Sequence, residues 1–64
     1  MEETSLAPSR FAVDLGCGDG RDTVELLRQG WRVLAIDGEA EAIARLLNRP
    51  NINRQLLETH IVRF

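Results

Sequence analysis

The chain has no lysine and no tyrosine, and only one cysteine, one histidine, one tryptophan and two prolines in 64 residues. A lone cysteine excludes an internal disulfide framework, and one Cys with one His leaves no ligand cluster for a structural zinc. No apolar run approaches the roughly 18 residues of a membrane span. The opening stretch MEETSLAPSR is acidic and polar, unlike a secretory signal. These absences lead to the expectation of a cytoplasmic protein with no metal and no membrane partner. The length lies below the roughly 100–200 residues of a typical domain, so the chain is at most one small domain and is expected to be part of one.

Charge is present but unevenly placed. Residues 14–41 carry seven acids against three arginines, whereas residues 42–64 carry four arginines against Glu58 alone. The basic tail is thin, with Phe64 as its one aromatic, and a nucleic-acid footprint needs a denser basic patch. Nucleic acid is therefore disfavoured as a partner. There is no internal repeat and no low-complexity segment.

The remaining pattern alternates between strand and helix. Phe11-Ala12-Val13-Asp14-Leu15 is a short apolar run leading into Gly16-Cys17-Gly18-Asp19-Gly20. Such runs suit strands of a parallel sheet. A helix containing Val24, Leu26 and Leu27 follows, with Asp19 or Asp22 as its expected N-cap, an Asp22/Glu25 capping box, and Gly30 as the residue that ends it. A second strand is expected over 31–36, ending at Asp37-Gly38. Ala40, Ile43, Ala44 and Leu47 then fall at i, i+3, i+4 and i+7, which predicts a helix with that apolar face, closed by Asn48 and Pro50. Gln55-Leu56-Leu57 reads as a helical turn, and 59–64 as a third strand.

Strand, helix, strand, helix, strand predicts an α/β fold. Two right-handed crossovers in the same direction give a three-stranded parallel sheet of order 3-2-1 with both helices on one face. The other face is then bare, although its strands read as buried on both sides. The expected organisation is an arm over 1–10 and a βαβαβ unit over 11–64, one half of a doubly wound sheet. The bare face would be covered by a missing C-terminal half or by a second copy in a homo-oligomer.

The glycine loop carries the chemistry. Open α/β sheets bind ligands beyond the carboxyl ends of their strands, and glycine lets the backbone approach a ligand closely. Asp37, 19 residues after Gly18, stands where an acid can accept ribose hydroxyls. A dinucleotide fingerprint needs a small residue at its last position, but that place holds Arg21 or Thr23, depending on the starting glycine. A phosphate-binding loop fails for want of Gly-Lys-Ser/Thr. A pyrophosphate beside Asp14, Asp19 and Asp22 would also meet like charge. A cationic ligand removes that conflict, and S-adenosylmethionine offers a sulfonium, an ammonium, a carboxylate and a ribose.

Val13-Asp14-Leu15-Gly16-Cys17-Gly18-Asp19-Gly20 resembles the D/E-x-G-x-G-x-G signature of class I S-adenosylmethionine-dependent methyltransferases, and Asp37 matches their ribose-binding acid. Asp19-Gly20-Arg21-Asp22-Thr23 with Gly30-Trp31 is similar to the small-molecule branch that includes tellurite-resistance-type enzymes. The resemblance covers residues 11–47 well and 48–64 loosely. It implies half of a Rossmann-like methyltransferase fold and transfer of a methyl group from S-adenosyl-L-methionine to a small-molecule acceptor. It also implies that Gly16, Gly18 and Gly20 turn beneath the methionine part of the cofactor. Asp14 would shape the loop and help bind the amino group, Asp37 would hold the ribose hydroxyls, and Gly38 would lie near the adenosine. Cys17, inside the loop, is grouped with these residues, though its side chain reads as a small space-filler. No general base can be named.

Plainer readings stand beside these. Asp37-Gly38 also suits a turn, and Asp19 and Asp22 suit helix caps. His60 reads as structural or solvent-facing, and Trp31 as packing the strand start. Arg45, Arg49 and Arg54 read as a solvated surface, and Arg21 as a partner within the loop or as idle. The alternative to an enzyme is a non-enzymatic nucleoside-binding or interaction module that uses the open sheet face to oligomerise.

Overall fold

The computed structural model describes residues 10–63. The arm expected over 1–10 lies outside them apart from Arg10, as does Phe64. The described elements are β1 (Phe11–Leu15), α1 (Arg21–Arg28), β2 (Arg32–Asp37), α2 (Ala40–Leu47), a 3-10 turn (Arg54–Leu56) and β3 (Leu57–Ile61). The sheet is parallel with β2 between β1 and β3, as the alternating pattern predicts.

Register sorts the side chains into two faces. Val33 pairs with Ala12 and Leu57, and Ala35 with Asp14 and Thr59; both β2 residues are buried. Cys17, Ala35, Ile43 and Leu46 form the core, with Val24, Leu47 and Leu57 packed against it, so both helices cover this face. The opposite face carries Val13 beside Leu34 and Leu15 beside Ile36. There Phe11, Val13 and Leu15 are 55%, 51% and 65% exposed.

Three boundaries and one helix face differ from the sequence expectation. α1 starts earlier than an Asp22 cap would allow. Its N-cap is Gly20, in the left-handed conformation, with no side-chain cap, and the Val24 N–H donates to the Gly20 carbonyl at 2.8 Å. The Asp22/Glu25 box is therefore inside the helix, and Asp19 acts one residue further out by accepting the Arg21 N–H at 3.1 Å. Trp31 belongs to the end of α1 rather than to β2. Gly30 N–H donates to the Leu27 carbonyl and Trp31 N–H to that of Leu26, both at 3.0 Å, which is a Schellman closure with Gly30 at φ +89°.

The buried face of α2 is also rotated from the expected one. Ala42, Ile43 and Leu46 are buried, whereas Ala40 and Ala44 are exposed. Alanine fits either environment, so the larger Ile43 and Leu46 set the rotation. β3 begins at Leu57 rather than residue 59, because Leu57 pairs with Val33 and joins the core. Ahead of it, the Asn53 side chain accepts the Gln55 N–H at 3.0 Å and closes the 3-10 turn.

Candidate functional site

The loop between β1 and α1 reverses direction through three left-handed glycines, with φ of +68° at Gly16, +58° at Gly18 and +82° at Gly20. Beyond conformation, their surroundings differ. A side chain at Gly16 would meet nothing within 4 Å, and one at Gly18 only the loop's own Gly16 carbonyl at 3.9 Å. A Cβ at Gly20 would lie 2.7 Å from Leu46 Cδ1. Gly16 and Gly18 thus leave open space above the backbone, whereas Gly20 lets α2 pack against the loop.

The loop is fastened to the end of β2. Gly16 and Cys17 N–H groups both donate to the Ile36 carbonyl, at 2.7 and 3.3 Å. Gly18 N–H donates to Asp37 Oδ2 at 2.9 Å, and Glu39 N–H to Asp37 Oδ1, also at 2.9 Å. These bonds from Gly18 and Glu39 hold the Asp37 carboxyl below the usual aspartate range. A carboxylate has about four acceptor sites, so Asp37 keeps acceptor capacity for a ligand. Gly38 lies behind it, where a Cβ would sit 3.4 Å from the Val62 carbonyl.

Asp14, half-buried on the helix-covered face, accepts the Thr23 hydroxyl on Oδ2 at 2.6 Å. Burial pushes the Cys17 thiol up, and the negative charges of Asp37 and then Asp14 push it the same way. Cys17 is therefore a protonated core residue flanked by two carboxylates. Asp14, Gly16, Cys17, Gly18, Gly20, Asp37 and Gly38 come together at the carboxyl end of the sheet, but Cys17 and Gly20 face inward.

The rim shows what sequence reasoning missed. Arg49, expected to be solvated, is half-buried and donates from Nε to the Asp19 carbonyl at 2.9 Å. Arg54 Nη1 reaches the Leu47 carbonyl at 3.3 Å. Arg21 pairs with Asp19 at 3.5 Å on the exposed edge, and the Arg21 backbone N–H holds the Asp19 carboxyl low. Thr23 was signalled only by being a polar residue on the inner face of a short helix. Leu46 carried no signal toward the loop. Elsewhere, Arg10 lies 5.8 Å over the half-buried Trp31 ring, and His60 pairs with Glu58 at 2.8 Å on exposed β3. A groove of about 250 Å³ bounded by Phe11, Val33, Gln55 and Leu57 lies at the opposite, amino end of the sheet. Among the described residues no helix is long and apolar enough to cross a membrane.

A family model described as "Methyltransferase domain" matches residues 12–63. The fold is similar to that of a TehB-like SAM-dependent methyltransferase from Corynebacterium glutamicum ATCC 13032 Kitasato, at 24% identity and a TM-score of 0.69 over 94% of this chain and 31% of that one. It is also similar to the glycopeptide N-methyltransferase MtfA, at 25% identity and a TM-score of 0.71 over 94% of this chain and 28% of that one. The chain thus spans under a third of the length of these structures. No match is found among curated proteins. With most of its length matched and its sheet and helices arranged as in these enzymes, the chain belongs to the methyltransferase-domain family.

Proposed function

We propose that the chain positions S-adenosyl-L-methionine in a methyltransferase that acts on a small-molecule acceptor. The observation that carries this reading is the open backbone over Gly16 and Gly18, set between the carboxylates of Asp14 and Asp37. The donor set fits the cofactor: Asp37 keeps acceptor capacity for ribose hydroxyls, Asp14 for an ammonium, and both suit a cationic ligand. S-adenosylmethionine, when bound, supplies an electrophilic methyl group on a sulfonium.

The chain's own residues contribute binding and alignment. Asp37 enters ionised and already fixed by Gly18 and Glu39, so little reordering accompanies binding. Gly16 and Gly18 let the ligand lie against the backbone. Methyl transfer depends largely on alignment of the acceptor with the methyl group, which needs no nucleophile from this loop. The small-molecule acceptor rests on the likeness of residues 19–23 and Gly30-Trp31 to the tellurite-resistance-type branch. A cytoplasmic location belongs to the same reading.

NMR titration of the isotope-labelled protein with S-adenosylhomocysteine tests it. Saturable shifts are expected at Gly16, Gly18 and Gly38, with at least about tenfold weaker binding in Asp37→Ala. The absence of saturable shifts at roughly 5 mM ligand, or shifts confined to the groove near Gln55, would overturn the reading.

A second reading is an interaction module, by self-association or by holding a further part of the fold. The exposed row of Phe11, Val13 and Leu15 favours it. Its test is the association state, which replacement of Leu15 should change.

A further inference from the structure

We infer that Thr23 is a positioning residue for the cofactor's amino group, acting through Asp14; the inference rests on the cofactor reading above. Thr23 lies in the first turn of α1 and is 0% exposed, so its hydroxyl needs a protein partner. A helical threonine ordinarily bonds the carbonyl three or four residues back. Here no such back-bond forms, and Gly20 accepts the Val24 N–H at 2.8 Å while Asp19 accepts Arg49 Nε at 2.9 Å. The Thr23 hydroxyl donates across to Asp14 Oδ2 at 2.6 Å instead. That length lies at the short end of the O–H···O range.

The bond fixes the Asp14 side chain at the base of the glycine loop. No other hydrogen bond to Asp14 from a described side chain occurs, so Oδ1 keeps its acceptor capacity. Thr23 thereby holds one oxygen of the carboxylate and leaves the other without a partner among the described side chains. Nothing in this arrangement touches the ribose side, which Asp37 serves from β2. Thr23 should therefore affect recognition of the amino-acid part of the cofactor and not of its nucleoside part.

Two ligands separate these contributions: S-adenosylhomocysteine, which carries the amino group, and 5′-methylthioadenosine, which lacks it. Thr23→Val keeps the volume and removes the hydroxyl. Affinity for S-adenosylhomocysteine should fall about tenfold, the loss expected for one misplaced polar partner. Affinity for methylthioadenosine should stay within about twofold. Thr23→Ser should restore the wild-type ratio. Should valine prevent folding, as judged by circular dichroism, Thr23→Ala, which also removes the hydroxyl, serves in its place. Equal weakening of both ligands, or no change in either, would overturn the positioning role and leave the cofactor reading intact. A wild-type protein that binds neither ligand would instead overturn the cofactor reading, and this inference with it.

Discussion

The two faces of the sheet are built from the same strands but answer to different requirements. On the covered face, Ala35 and Leu46 are 0% exposed, and the two buried polar residues are matched: Thr23 with Asp14, Asp37 with Gly18 and Glu39. On the open face the residues are at least as apolar, yet Leu15 is 65% exposed and the flanking polar groups Glu58 and His60 pair with each other. Hydrophobicity along a strand therefore does not say which face is covered. The covered face is recognised by buried polar side chains that find partners and by a central residue small enough for close helix approach. Ala35, the central residue of that face, is small for this reason.

The largest effect expected from this difference is at Leu46. Leu46→Ala removes a fully buried side chain that touches the loop beside Gly20 and should cost about 2–5 kcal/mol. Total stability for a chain of this size is on the order of 3–10 kcal/mol, so much of the protein should be unfolded in dilute buffer. Urea denaturation followed by circular dichroism measures it. A loss below about 1 kcal/mol would mean that the covered face is not the core.

Much of this architecture was legible in the sequence, and the failures share a cause. The strand–helix alternation, the parallel order and the glycine loop follow from local patterns, because apolar runs and glycine spacing act over a few residues. Asp37 was legible as a candidate because it ends β2, and Asp14 because it stands two residues before Gly16. The rotation of α2 was not, since alanines at 40 and 44 carry too little area to set a face. The roles of Thr23 and Arg49 depend on contacts nine and thirty residues away, which no local spacing encodes. Trp31 was misplaced because its N–H completes the closure of α1, a backbone demand that a hydrophobic pattern does not register.

A smaller effect is expected on the acid side. The folded-state pKa of Asp37 is lowered, first by Gly18 and then by Glu39. Its contribution is therefore fully present above the ordinary aspartate value near 3.8 and is lost as pH falls from there through the folded value. Asp37→Asn should remove this part of the acid transition and flatten stability against pH below about 4. Denaturation midpoints of both proteins between about pH 2 and 7 provide the check. An unchanged acid limb would mean that the Gly18 and Glu39 bonds do not hold the carboxylate in solution. The comparison sharpens here, because among the described residues no carboxylate on the open face is bonded to backbone N–H in this way.

The smallest effect, and the one that discriminates most between the faces, is at Leu15. In a protein whose open face meets only water, Leu15→Ser removes a side chain that is already 65% exposed. The stability change should then stay within about 0.5 kcal/mol, the range of ordinary surface substitutions. The second functional reading expects otherwise. If the row of Phe11, Val13 and Leu15 is buried against another copy or a further part of the fold, the same substitution exposes a hydroxyl to an apolar contact. The cost then rises to about 1–3 kcal/mol and the associated state weakens with it. Sedimentation velocity over a range of concentrations, run beside the urea curves, separates the cases. A concentration-dependent assembly that Leu15→Ser abolishes assigns the open face to self-association. A monomer with an unchanged midpoint leaves that face to solvent, and the two sides of the sheet then differ in energy as sharply as they differ in exposure.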